Sequence, residues 1–576
     1  MPTTTEKTLG LIPLDARPIC YDWTKALGEI CVPLGVKTLL PPRRLFPPNH
    51  ALKTPLNTDD LYTWLSEPSH APKTWTLGGV VALDTLLHGG LIPSRLSTAP
   101  FETLKASWEQ QWLPLLKSCP SALVGVATIL RIPHYNNDEE EPDYWAYWGE
   151  ALHEYSRKVH QQLRPQYEHA IPCLTSWFAQ PPKPNTVGCP DIPEAILNDF
   201  IQRHQRQWQL WQLWLENVKR HSEDSTRLFQ RLIFSQDDTG TWGLNVLEAE
   251  ALKARIQALG LNDTQAYVQT GADELLTTQM AWLMTYHVTQ APTHQATLST
   301  SPFTLQCVAS EPSTLGSLSR YDGITCEEVI TRQANACGIR IHWVTPAMVQ
   351  HENPLLIVHT PSPERQGDHC GDYFEDPLNG KPPPNTSQGI AIIEGLFNKT
   401  SSTVVQGGVW LADIAYSNGG DPALARLLLP SPPPSLKGYS AWNTASNTVG
   451  CLLAWWTLTM CVAHFSVPLG DNTKISTTET PLPQHQTQLL STRLLEDLIF
   501  QALVRPKLRP IYPIHDTESW QNATEALRDT MAPYTEKLCE TMLTPFLGHT
   551  QAQPAFSLPC GRWFEVACVW QSLLRR

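Results

Sequence analysis

The chain contains no CxxC pair, no GxxxxGK[ST] phosphate loop, no GxGxxG and no HExxH. The first absence removes thioredoxin-type redox chemistry and paired-cysteine zinc sites, and the next two remove the usual nucleotide and dinucleotide cradles. Charge is also scarce: charged residues make up 17% of the chain, and Lys plus Arg number 42 against 55 Asp plus Glu, a net charge of −13. Nothing in that balance attracts a phosphate backbone or an anionic lipid surface, so neither nucleic acid nor membrane is an expected partner. The longest apolar run, 449–465, holds Trp455 and Trp456 but is broken by Thr457, Thr459 and His464. It is short for a bilayer span and reads as a buried helix. The opening residues Met1 to Thr8 are polar and lack the basic, apolar and small-residue order of an export signal. The 14 cysteines are scattered from Cys20 to Cys568, which suits reduced thiols. A cytoplasmic location is therefore expected.

What the chain does have is apolar mass and rhythm. Over 576 residues, 41% are hydrophobic, enough for more than one core. Short apolar segments recur at 10–14, 36–40, 79–83, 123–130, 232–234 and 266–269, then at 303–309, 339–344, 355–358, 408–412 and 438–441. Each ends in a polar residue followed by a turn or a helical pattern. Continuous apolar runs fit strands covered on both faces, and the alternation predicts an α/β chain. The expected organisation is a first domain over about 1–295, formed as a parallel sheet or a (β/α)8-like barrel, with a helical insertion at about 144–231. A second α/β domain follows over about 296–475. After a polar stretch at 474–487 comes a mostly helical C-terminal segment to 576. Within the insertion, Trp208, Trp211 and Leu215 share one helical face, a packing stripe rather than a sugar platform. No internal repeat is visible in the sequence.

In parallel α/β folds, the loops after the strands share one face, and helix N-termini there present free N–H groups. The strand ends of this chain are rich in charge: Asp15 and Arg17, Asp84 and Arg95, Arg131, Asp237 and Asp238, Asp273 and Glu274, His359, Asp413, then Trp442 and Asn443. One charged pocket is the economical expectation. Asp237-Asp238 is its sharpest element. Two close carboxylates raise one pKa and leave an acid beside a base, the arrangement that glycoside hydrolysis uses. Both can face one pocket only where the strand has given way to loop, and Thr239-Gly240 is expected to supply that break. Gly89-Gly90, between Asp84 and Arg95, would let a ligand approach the backbone, and Arg95 can hold oxygens in a fixed fork. The run Trp442 to Thr448, including Asn447, packs donors around a helix start beside an indole ring.

A metal reading stays open beside this one, with Asp237, Asp273, His359 and Asp413 as an alternative ligand set, though no spacing motif selects it. No cofactor is required and a divalent metal is left open. The loop 364–376, with His369 and Cys370, is a further candidate.

Several of these segments together resemble a bacterial family catalogued as domain of unknown function 4127. The similarity runs through Ile12-Pro13-Leu14-Asp15-Ala16-Arg17-Pro18, Leu83-Asp84 with Gly89 to Arg95, Arg131-Ile132-Pro133 and Glu139 to Pro142. It continues through Gln236-Asp237-Asp238 with Gly243-Leu244-Asn245, Gly271 to Glu274, Asp413 to Gly419, and Trp442 to Thr448. The first motif of that family carries a second Asp where this chain has Ala16. The resemblance implies no activity. A local likeness of Asp237-Asp238 and Trp442-Asn443 to hexosaminidases of the O-GlcNAcase type implies a different thing. In those (β/α)8 enzymes the first Asp would polarise an acetamido nitrogen and the second act as general acid.

The expectation is a hydrolase for a small glycoside or amino-sugar derivative, with Asp237 and Asp238 catalytic. Asp15, Arg17, Asp84, Arg95, Arg131, Asp273, Glu274, Asp413, Trp442, Asn443 and Asn447 would contact the small-molecule substrate. A metal-dependent amidohydrolase or peptidase, and a non-catalytic small-molecule-binding protein, are the alternatives.

Overall fold

The structure is a computed structural model that describes residues 7–47, 51–223, 228–290, 303–361, 387–402, 407–429, 432–465, 484–543 and 554–570. The candidate loop 364–376 and most of the polar stretch 474–487 lie outside these residues. The chain divides into two compact units. The first comprises Met1–Lys25, Gly35–Leu283 and Tyr321–Gly323; the second comprises Ala26–Leu34, Met284–Arg320 and Ile324–Arg576.

The first unit is built on six strands, β1 (Lys7–Ile12), β2 (Val36–Leu39), β3 (Gly79–Ala82), β4 (Leu123–Ile129), β5 (Arg231–Gln236) and β6 (Ala266–Thr270). They pair in the order β2-β1-β3-β4-β5-β6, every pair parallel. Of the two forms expected, the open parallel sheet is the one that forms. All residues of β3, β4 and β5 are buried, which explains why they read as unbroken apolar runs. Trp75 shows how closely the sheet is covered. Its buried indole lies flat over β1 and β3, where a Cβ on Gly10 would fall 2.1 Å from the ring and one on Gly79 2.6 Å. The insertion forms the helices Trp145–Leu163, Ala170–Ala179 and Glu194–Glu223. Trp211 and Leu215 are fully buried, and the Trp211 ring meets Phe234 of β5 edge-on at 6.3 Å. The Trp stripe is packing.

The second unit is built on β7 (Thr304–Ala309), β8 (Arg340–Trp343), β9 (Leu355–His359), β10 (Val409–Asp413) and β11 (Leu436–Ser440), again all parallel, in the order β11-β10-β9-β7-β8. Counted within each sheet in chain order, both sheets run 2-1-3-4-5, with β6 added at the edge of the first. The topology repeats where the sequence shows no repeat. The apolar run forms the helix Ala445–Phe465, and 83% of its most apolar stretch is buried within the folded chain. It is long and apolar enough in composition to cross a membrane, yet it is a core helix here. Helical chain then runs through Gln484–Arg493, Leu494–Val504 and Arg505–Leu508 to Thr517–Leu538, and a short antiparallel pair, β12 (Pro554–Ser557) and β13 (Ala567–Trp570), follows. The cysteines among the described residues are all free, as reduced thiols require.

Candidate active site

In the first unit the loops after β1, β4, β5 and β6 bring their charged side chains together. The chain leaves β1 through Pro13 and Leu14, and the next layer is fastened to that turn. Thr85 Oγ1 donates to the carbonyls of Pro13 and Leu14, and the Leu91 N–H donates to Leu14. This anchors the helices Leu83–His88 and Leu91–Leu96, so Arg95 is delivered from a fixed turn. Arg203 and Arg206, on the helix Glu194–Glu223, donate to the carbonyls of Arg95, Ser97 and Ser94 at its carboxyl end. Gly89 and Gly90 have φ of 79° and 144°, and a Cβ on Gly89 would lie 2.3 Å from the Leu56 carbonyl oxygen. Gly89 thus permits a close approach to the protein's own backbone at Leu56.

Arg95 and Arg131 lie side by side within a ring of carboxylates. Arg95 donates from Nη1 to Glu140 Oε2 (2.8 Å) and Glu141 Oε1 (3.5 Å), and from Nη2 to Asp237 Oδ2 (3.1 Å). Arg131 donates from Nη2 to the same Glu140 oxygen (2.8 Å), from Nε to the same Glu141 oxygen (2.7 Å), and from Nη1 to Asp238 Oδ2 (2.9 Å). Both guanidiniums share the two glutamates, and each holds one aspartate of the pair. Nearby, Arg17 spans from Asp15 (Nε to Oδ2, 2.8 Å) to Asp273 (Nη2 to Oδ1, 2.6 Å), with the Cys20 thiol 3.8 Å from the same Asp273 oxygen. Asp273 is close enough for its charge to act on Asp237, which joins the two groups of residues electrostatically.

Carboxylates outnumber guanidiniums in this array and little water reaches it. Burial pushes the pKa of Asp237 up first, the charge of Asp238 pushes it further, and Arg95 and Arg131 pull it back. Asp238 is raised in the same way, with Arg131 and Arg95 opposing burial, and so is Glu141. Asp238 is the most exposed member, with 21% of its side chain accessible. It also has φ 45°, a left-handed conformation that costs a residue with a Cβ about 1–2 kcal/mol. β5 ends at Gln236, so Asp238 is itself the break that lets neighbouring carboxylates share a side. Thr239, expected to supply the break, locks the turn: its N–H donates to Tyr321 (2.8 Å) and its hydroxyl accepts from Gln236 Nε2 (2.8 Å).

Asp84 is fully buried and accepts from the Thr128 N–H (2.7 Å) and Gln207 Nε2 (3.5 Å), so its hydrogen bonds tie β4 and a helix together rather than joining the array. Burial raises its pKa to about 6, against the opposing pull of Thr128, Gln207 and Arg95. Glu274 is buried, its carboxyl folded over Gly271 at a spot where a Cβ would lie 2.2 Å from Oε1. His359, Asp413, Trp442, Asn443 and Asn447 belong to the second unit. There Asp413 Oδ2 accepts from the Asp421 N–H and the Tyr439 hydroxyl, and burial raises its pKa to about 6. Trp442 packs edge-on against Phe564, and the Thr444 hydroxyl accepts the Asn447 N–H, an ordinary helix cap. The charged strand ends thus divide between two units, and the alternative metal set divides as Asp237 with Asp273 and His359 with Asp413. Among the described residues no group of three or more His, Cys, Asp or Glu is placed to hold a metal ion.

Glu140 and Glu141 are the site residues that strand-end reasoning overlooked. They lie far along the loop between β4 and the helix Trp145–Leu163, well past the strand end, and that loop is pinned by Lys53 to Asp138 and Asp143 at 3.0 Å each. The acidic run Asp138 to Glu141 in a chain with so little charge was the available signal. A family model described as a protein of unknown function, DUF4127, matches residues 9–568. No curated protein and no solved structure was found to match the chain.

Proposed function

The chain belongs to the DUF4127 family of proteins of unknown function, and from that premise we propose that it is a hydrolase acting on a small glycoside or amino-sugar derivative at the carboxylate array of the first unit. The observation that carries the reading is the pair Asp237 and Asp238, adjacent in the chain, each gripped by its own arginine, and both with raised pKa. Two carboxyl groups in one low-dielectric site do not ionise equally, so one retains its proton as an acid while the other serves as a base or stabiliser. Asp238, the more exposed, takes the part of general acid; Asp237, Arg95 and Arg131 orient it. Because the guanidiniums are already engaged by Glu140, Glu141 and the Asp pair, the array favours ligands that donate hydrogen bonds, such as sugar hydroxyls or an ammonium group, over phosphates or carboxylates. The free thiols and the acidic charge balance support a cytoplasmic setting and a small-molecule partner.

The test is a panel of chromogenic glycosides, N-acetylated amino sugars included, assayed with wild type and Asp238→Asn. Turnover is expected to be abolished while the melting temperature stays nearly unchanged. A variant keeping more than a tenth of the wild-type rate overturns the assignment. Activity that a chelator abolishes and zinc or manganese restores would favour the amidohydrolase reading, and saturable binding with no product a binding protein.

A further inference from the structure

The second sheet carries a different arrangement at its own strand ends. In the order β11-β10-β9-β7-β8, the chain direction across the sheet reverses between β7 and β9, and open parallel sheets bind ligands outside the carboxyl ends of the strands at such a reversal. Ser310 follows β7 directly, and His359 is the last residue of β9. Ser310 Oγ lies 3.0 Å from His359 Nδ1, and His359 Nε2 lies 3.0 Å from Asp421 Oδ2.

Counting hydrogens gives the direction of this chain. A carboxylate only accepts, so with a neutral ring Nε2 carries the hydrogen toward Asp421 and Nδ1 is the free acceptor. The Thr360 N–H already donates to Ser310 Oγ (3.1 Å), which leaves the hydroxyl hydrogen for Nδ1. Asp421 is fixed in turn. Its Oδ1 accepts the Ala423 N–H (2.8 Å) and its own N–H donates to Asp413 Oδ2 (2.6 Å). A hydroxyl bonded to an imidazole whose far nitrogen is held by a carboxylate is the arrangement of an activated nucleophile, whichever ring nitrogen faces the hydroxyl.

Gly389, in the first turn of the helix Ser387–Ser402, is an independent sign. A Cβ there would lie 3.2 Å from both Ser310 Oγ and His359 Cε1. Glycine thus leaves the space beside the hydroxyl and the imidazole edge unfilled on that side.

We propose that Ser310, His359 and Asp421 form an acyl-transfer centre for small acyl esters or thioesters. Ser310 Oγ adds to the acyl carbon as its proton passes to Nδ1 of His359, and the carbonyl electron pair moves onto oxygen. When that pair returns, the bond to the alcohol or thiol breaks, and the leaving group takes the proton from Nδ1. Water repeats the sequence on the acyl-serine and releases the acid. All three residues are at most 2% exposed, which favours a small acyl group. The centre is separate from the carboxylate array and stands or falls independently of it.

The full-length protein is treated with p-nitrophenyl acetate and butyrate, and separately with a short-chain alkyl fluorophosphonate followed by intact-mass measurement and peptide mapping. A single adduct on Ser310 is expected, absent from Ser310→Ala and formed at least tenfold more slowly by His359→Gln. Asp421→Asn keeps a helix-capping side chain and is expected to slow labelling similarly. Gly389→Ala should slow butyrate turnover more than acetate. Folded wild-type protein with no adduct at Ser310, or ester turnover equal to that of Ser310→Ala, overturns the proposal; the wild-type result decides even if a variant does not fold.

Discussion

Asp84 and Arg131 show how much of the charge in the first unit is structural and how that can be measured. Asp84 has a pKa of about 6, above its ordinary 3.8, because it is wholly buried. The folded state therefore binds its proton more tightly than the unfolded chain. Its contribution is most favourable below about 3.8 and is lost as pH rises through about 6. Asp84→Asn retains an acceptor for the Thr128 N–H and a hydrogen-bonding side chain beside Gln207. The variant is expected to melt at or above the wild-type temperature at pH 7, with a flatter stability profile between pH 4 and 6 in melts across buffers. A lower melting temperature at pH 7 would contradict this. Arg131 has the opposite character, since it is paired with Glu140, Glu141 and Asp238 at once. Arg131→Met is expected to cost on the order of 3–5 kcal/mol at pH 7, as for other broken buried pairs. Denaturant titration should show part of that loss recovered near pH 5, where the stranded carboxyls take up protons.

At the scale of elements, the register of β1 against β3 rests on glycines rather than on large side chains. The Trp75 ring occupies the space that a methyl group at Gly10 would need, and an indole packed over a buried sheet has little freedom to move. Gly10→Ala is expected to destabilise by about 1–3 kcal/mol or more through overpacking, read as a lower denaturation midpoint with an unchanged slope. The segment 10–14 announced a strand by its apolar run, and β1 begins earlier, at Lys7. Continuous apolar segments marked the strands of both sheets because a parallel sheet is covered on both faces. The helices of the insertion were equally visible from their 3.6-residue stripe. The two short strands near the C-terminus, β12 and β13, were not visible, since four residues each in a helical context leave no period to read.

Across the whole molecule, the chain does not divide at one point. The first unit includes Tyr321–Gly323 and the second includes Ala26–Leu34. The Tyr321 carbonyl accepts the Thr239 N–H, and Gly323 packs close to the Thr239 methyl, so this short segment braces the turn that carries Asp237 and Asp238. A fragment ending at residue 290 is therefore expected to melt below the corresponding transition of the full chain and to lose glycoside turnover. A fragment that matches the full chain in both would show that the brace is dispensable.

The sequence alone determined the α/β class, the parallel pairing, the burial of the 449–465 helix and which charged residues stand at strand ends, because each follows from local pattern: apolar period, length and the residue that stops a run. Strand order, the repeated 2-1-3-4-5 topology and the partner of each charge were decided only by the tertiary structure. Glu141 meets Arg131 across 10 residues of chain, whereas Arg17 meets Asp273 across 256, and no local period encodes such distances. Likewise Ser310, His359 and Asp421 are brought together by the pairing of β7 with β9 and by the turn after β10, although of the three only His359 stands out in the sequence, as a strand end.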